Sequence, residues 1–256
     1  MIKYGISESS VIPVRKEPND RSEMVTQLLF GETFEILEET IKWTFVKLSL
    51  DHYTGWIDNK EIRRLSEGDF NSLNEKDSWV TKELFTEVKN SKDERLILPA
   101  GCSIPNFDKS TNHFNISNRT YQIINKQQDD LGFKAVCMQF LNAPYLGGGK
   151  NPMGIDCSGF TQVIFKIFGV DIPRDASNQV KEGENINFIS DTQTGDLAFF
   201  DDEEGNIYHV GIILDNNTII HASGKVRIDK IDQQGINNLE LKKYTYKLRV
   251  IKRILN

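Results

Sequence analysis

The sequence predicts an α+β protein: two small β-barrels, then a domain whose helices pack on an antiparallel sheet. Three observations lead there. Short alternating apolar and polar runs, such as Thr33-Phe34-Glu35-Ile36-Leu37 and Val46-Lys47-Leu48-Ser49-Leu50, fill the first half at spacings of about ten residues. Two apolar helical stripes follow, over about 131–142 and 157–168. Four β-rich runs then close the chain, at Asp196–Phe200, His209–Leu214, Thr218–Ala222 and Tyr246–Ile251. Helices first and strands afterwards place the helices on one face of the sheet.

Taken in order, residues 1–66 read as the first barrel, with turns at Gly31-Glu32 and Asp51-His52. Residues 67–76 are polar and charged, as a linker would be. Residues 77–128 read as a second, more diverged barrel, with runs at Ser78-Trp79-Val80, Arg95–Leu98, Asn115-Ile116 and Tyr121–Ile124. The third domain is expected at 129–256.

Composition narrows the function. The 256 residues carry a net charge of −6 and no basic run, which excludes nucleic acid as the main partner. No apolar run approaches the roughly 20 residues of a membrane span. Three cysteines, Cys102, Cys137 and Cys157, make no disulfide framework, and none has the spacing of a metal site. No metal or cofactor is expected, and a monomer is. Reduced thiols and the lack of a visible leader point to the cytoplasm; a trimmed leader would point instead to the periplasm or cell envelope.

The chemistry centres on Cys157. Asp156 is the expected N-cap of the helix whose stripe is Phe160, Val163, Ile164, Ile167 and Phe168, so Cys157 falls in its first turn. The unpaired N–H groups and dipole there are expected to lower the thiol pKa. By itself Cys157 reads equally as a small apolar core residue, whereas Cys137 reads as a core residue on its own helical stripe and Cys102 as structural. His209 and His221 shift that balance, for they flank the turn Asp215-Asn216-Asn217. Folding the strands near position 215 or 216 makes the two histidines cross-strand neighbours, so that one ring can orient the other. A helix-start cysteine with a strand histidine held by a third polar group is a nucleophile with its base and orienter.

Five motifs in order then resemble the NlpC-type family of bacterial cell-wall cysteine peptidases: Pro144-Tyr145-Leu146-Gly147-Gly148, Gly154–Phe160, Thr194–Phe200, His209–Ile212 and Ile220-His221-Ala222. Val14–Pro18, Gly31-Glu32, Trp43–Leu48 and Tyr53–Ile57 resemble the bacterial SH3-like domain. The first resemblance implies a papain-like fold acting on murein peptides, with Cys157 as nucleophile, His209 as general base and then acid, and His221 as orienter. Two SH3-like domains ahead of it resemble the branch that cleaves between γ-D-glutamate and a diamino acid, on peptides with a free N-terminal L-alanine. That branch implies substrate contacts from Tyr145, Asp156, Ser158, Asp175 and Ala176. From the first barrel it implies Glu17 and Tyr53, with His52 or Trp43 as alternatives to Tyr53. Arg174 is expected to be a structural salt-bridge partner. An amidase or cross-bridge peptidase acting on intact wall, and a non-catalytic wall-binding module, are the rival readings.

Overall fold

The computed structural model describes residues 3–75, 78–125, 130–238 and 240–255. The expected domain borders at 77, 128 and 129 lie outside the described residues. The chain divides into two compact units, Met1–Asp130 with Gly148–Asn151, and Leu131–Gly147 with Pro152–Asn256.

In the first unit, β1 (Tyr4–Ile6), β2 (Val11–Arg15), β3 (Met24–Leu29), β4 (Thr33–Glu39), β5 (Trp43–Leu48), β6 (Thr54–Asp58) and β7 (Arg63–Leu65) make one antiparallel sheet in the order β3-β2-β6-β5-β4-β1-β7. Alternation drives one face inward: Ile12, Val14, Leu28, Phe34, Val46 and Ile57 are buried together. The polar run expected as a linker instead begins with a helix, α1 (Glu67–Asn74). Ser66 caps it by accepting from the Asp69 N–H at 3.1 Å, and Tyr4 stacks on Phe70 with ring centroids 4.2 Å apart. A side-chain cap and one aromatic anchor suffice to order a segment whose composition suggested none.

Next come β8 (Trp79–Val80), β9 (Phe85–Asn90), β10 (Arg95–Pro99), β11 (Ser103–Ile104), β12 (His113–Ile116) and β13 (Arg119–Ile123). They form a four-stranded sheet, β10-β9-β13-β12, and the separate pair β11-β8. Phe30, just past the end of β3, packs edge-on against Phe114 and Tyr121, and its carbonyl accepts from the Ser103 N–H at 3.0 Å. The short β14 (Lys150–Asn151) also belongs to this unit. Lys150 is buried there with its Nζ 3.3 Å from Glu32 Oε1, while its N–H donates to Gln27 Oε1 at 2.7 Å.

The second unit holds α2 (Phe133–Gln139), β15 (Gly154–Ile155), α3 (Cys157–Ile167), α4 (Ala176–Gln179), β16 (Glu184–Ile186), β17 (Leu197–Asp201), β18 (Ile207–Asp215), β19 (Thr218–Ser223), β20 (Lys225–Asp232), β21 (Gly235–Asn238) and β22 (Lys243–Arg253). Its antiparallel sheet runs β16-β22-β17-β18-β19-β20-β21, and β22 also pairs with β21. Six strands therefore close on themselves around Ala198, Phe200, Ile213, Ile219, Ile231 and Ile236. Helix α3 is buried along its whole length and packs on β18 and β19. The sequence suggested a one-sided stripe; in fact α3 is buried on every side, and its polar side chains reach partners on neighbouring segments. Thr161 Oγ1 donates to Gln179 Oε1 at 2.8 Å, and Gln162 Nε2 donates to the Ile172 carbonyl at 2.9 Å. Helix α4 is a single turn that ends at Gln179.

Candidate active site

Cys157 is the first residue of α3, where the sequence placed it. Asp156 caps the helix, its Oδ1 accepting from the Gly159 N–H at 2.7 Å. The same carboxylate is gripped by Arg174, with Nη1 donating to Oδ1 at 3.0 Å and Nη2 to Oδ2 at 2.5 Å. Arg174 Nη1 also donates to Ser158 Oγ at 2.8 Å. Arg174 is 2 % exposed, so this is a buried ion pair braced by hydrogen bonds, the structural role expected of it. The pair fixes the residues on either side of the sulfur.

The thiol itself departs from expectation. Burial pushes Cys157 up to about 11, and the Asp156 carboxylate pushes the same way. The Val210 and Ser158 N–H groups at the sulfur and the Arg174 charge act in the opposite sense without prevailing. A helix start lowers a thiol pKa only where water still reaches it; Cys157 is 7 % exposed and loses more to desolvation than the dipole returns. At rest the site holds a neutral thiol.

The hydrogen bond at Val210 sets the sulfur beside β18, next in sequence to His209. His209 Nε2 lies 2.8 Å from His221 Nδ1, with ring centroids 5.1 Å apart. The two rings meet as the sequence reading expected, by a different register. A bulge between Ile213 and Asp215 moves the turn to Asn216-Asn217, and Ile212 pairs with Ile220. Continued, that register sets Gly211, not His209, across from His221, so the histidines are diagonal neighbours on one sheet face. Burial holds His209 well below the usual imidazole range, and a charge on His221 would depress it further. Burial also lowers His221, although Asp229 opposes the shift. Both rings are neutral near pH 7.

Two further residues complete the cluster, and sequence reasoning missed both. Asp229 on β20 is fully buried with Oδ2 3.2 Å from His221 Nε2. Tyr246 on β22 stacks on His209, with centroids 4.1 Å apart and planes at 18°, and its hydroxyl is 2.8 Å from Ser223 Oγ. The signal for Asp229 was its spacing. Arg227 pairs with His221 across β19 and β20, and Asp229 follows two residues later on the same face.

The remaining expected site residues fall into two groups. Tyr145, Asp175 and Ala176 share the second unit with the cysteine and histidines. The Tyr145 hydroxyl is pushed up to about 12 by burial and by charge at Cys157 and Asp156, which sets it near the sulfur. Asp175 occupies the N-cap position of α4 without a capping hydrogen bond from its side chain, and Ala176 is buried behind it. Glu17 and Tyr53 belong to the first unit: Glu17 is exposed in the turn after β2, and Tyr53 packs partly against the core of the first sheet. Cys102 and Cys137 are buried, and burial raises the Cys137 thiol far above its ordinary value.

Comparison with known proteins agrees with this chemistry. Residues 142–245 match the NlpC/P60 family and residues 14–62 match the bacterial dipeptidyl-peptidase SH3 domain. The γ-D-glutamyl-L-lysine dipeptidyl-peptidase of Bacillus subtilis (strain 168) is 29% identical over 216 residues, covering 77% of this chain and 71% of that protein. Dipeptidyl-peptidase 6 of Lysinibacillus sphaericus is 25% identical over 252 residues, covering 85% of this chain and 88% of that one. An NlpC/P60 family protein from Bacillus cereus ATCC 10987 superimposes with a TM-score of 0.81 at 19% identity, over 99% of this chain and 100% of that one. That last likeness is one of fold.

Proposed function

Because this chain is a cysteine peptidase of the NlpC/P60 family carrying a bacterial dipeptidyl-peptidase SH3 domain, we propose that it hydrolyses the bond between γ-D-glutamate and a diamino acid in murein peptides with a free N-terminal L-alanine. The observation that carries the peptidase chemistry is the His209–His221 contact beside the sulfur at the start of α3. The substrate is inferred from the activity for which the Bacillus subtilis relative is named.

Cys157 is the nucleophile in this reading. With Nε2 of His209 engaged by His221, Nδ1 is the nitrogen left to take the thiol proton. The sulfur bonds to the γ-carbonyl carbon, and N–H groups of the first turn of α3 face the developing oxyanion. His209 returns the proton to the departing amine as the C–N bond breaks. It then takes a proton from water, whose oxygen displaces the sulfur and frees the γ-carboxylate. A neutral thiol and a neutral imidazole suit this order, since proton transfer accompanies attack. In the same reading Tyr145, Asp156, Ser158, Asp175 and Ala176 contact the substrate. The strands β8–β13 are read as a second SH3-like module, since they are short, antiparallel and centred on Val88, Phe114 and Tyr121.

The test compares L-Ala-γ-D-Glu-L-Lys, its N-acetylated form and insoluble peptidoglycan as substrates. Release of lysine from the free tripeptide alone supports the proposal. Equal rates on the acetylated peptide remove the amine requirement, and cleavage of intact wall in preference to the tripeptide overturns it in favour of a wall hydrolase.

A further inference from the structure

Asp229 lies beyond both histidines, and its surroundings determine which way protons sit on the rings. Its Oδ2 is 2.7 Å from Arg227 Nε, 3.2 Å from His221 Nε2 and 3.4 Å from Asn238 Nδ2, while Oδ1 is 3.2 Å from Arg227 Nη2. Arginine nitrogens only donate, and so does an amide nitrogen. The Asn238 amide is oriented by its own oxygen, which accepts from the Glu240 and Leu241 N–H groups at 3.1 and 2.8 Å. Arg227 is held in place by Glu240 Oε2 at 3.0 Å from Nη1. Asp229 is therefore an acceptor for Arg227 and Asn238, and a carboxylate so paired accepts from His221 as well.

We infer that Asp229 is a positioning residue that sets the tautomer of both histidines and so selects the nitrogen of His209 that acts as base. This rests on the proposed roles of Cys157 and His209. His221 Nε2 donates to Asp229, so the neutral ring has a bare Nδ1. That Nδ1 is 2.8 Å from His209 Nε2, which must then carry the hydrogen and donate it. A neutral His209 with its proton on Nε2 has a bare Nδ1, free to take a proton from the thiol. Without an acceptor at 229, His221 is free to carry its proton on Nδ1 and to donate to His209 Nε2. His209 would then hold its proton on Nδ1 and could not act as base there. His221 alone cannot make this choice, because an imidazole is competent in either sense.

The test has two parts, both on the full chain. Nitrogen-15 NMR of histidine-labelled wild type at pH 7.5 reads the tautomers directly. His209 and His221 are both expected as Nε2–H forms, and an Nδ1–H form of either ring overturns the inference. In Asp229→Ala, kcat on L-Ala-γ-D-Glu-L-Lys is expected to fall about 10- to 100-fold with KM within about twofold, together with an Nδ1–H signal from His221. A folded Asp229→Ala that keeps wild-type kcat and Nε2–H rings also overturns it. If that variant does not fold, the wild-type spectrum still decides. If the wild type leaves the peptide uncut, the substrate proposal fails while the spectrum continues to report on Asp229.

Discussion

Gly211 faces His221 so closely that a Cβ built on it would lie 2.9 Å from His221 Cβ and 2.7 Å from Ile219 Cδ1. The gap left by the missing side chain lets His221 lean across to His209. Gly211→Ala is therefore expected to displace the His221 ring and lower kcat by about tenfold or more, since small misplacements of catalytic groups cost that much or more. Steady-state kinetics beside a thermal melt check it. An unchanged kcat in a folded variant would show that His221 has room to spare.

The resting thiol sets a second expectation. With Cys157 raised to about 11 by burial, its alkylation by iodoacetamide should climb about tenfold per pH unit from pH 7 to 10, following the thiolate fraction. A rate that is flat across neutral pH would mean a preformed thiolate–imidazolium pair. Cys157→Ala removes this pH-dependent alkylation and identifies the site.

Buried neutral histidines also link stability to pH. The folded pKa of His209 lies well below 6.5, and that of His221 is lowered in the same direction. Below about pH 6.5 the unfolded chain takes up protons that the folded chain refuses, so stability is full above that pH and falls beneath it. The slope is at most about 1.4 kcal/mol per pH unit for each histidine. Urea unfolding from pH 7.5 to 5.5 should show the decline, and a His209→Gln, His221→Gln double variant should flatten it.

Arg174→Leu would leave the Asp156 carboxylate buried beside the sulfur without its partner. Removing one member of a buried ion pair costs about 3–5 kcal/mol, and that loss is expected in guanidinium unfolding. A loss below about 1 kcal/mol would mean that the neutral donors at Asp156, the Gly159 N–H among them, make up for the lost charge.

Local signals made the centre of the site legible. Asp156 ahead of an apolar stripe marked the start of α3, and Asp215-Asn216-Asn217 between two apolar runs marked the hairpin of His209 and His221. What escaped depends on contacts between distant segments. β20 has no clean apolar alternation, because Arg227 and Asp229 lie on the same face as His221, so its strand character and the place of Asp229 beside that ring were hidden together. The pairing of β22 with both β17 and β21, which brings Tyr246 onto His209, has no local signature. Helix α1 was hidden by polar composition, although Ser66 and Asp69 have the spacing of a cap. The sense of the Cys157 shift was misjudged because a sequence shows the helix start but not the depth of burial.

The most direct measurement is turnover of L-Ala-γ-D-Glu-L-Lys by Cys157→Ala, with a melting curve to show that the variant is folded. Loss of about 10⁴-fold or more relative to wild type is the predicted result. A folded Cys157→Ala that still releases lysine at a rate close to wild type would contradict the assignment of the nucleophile.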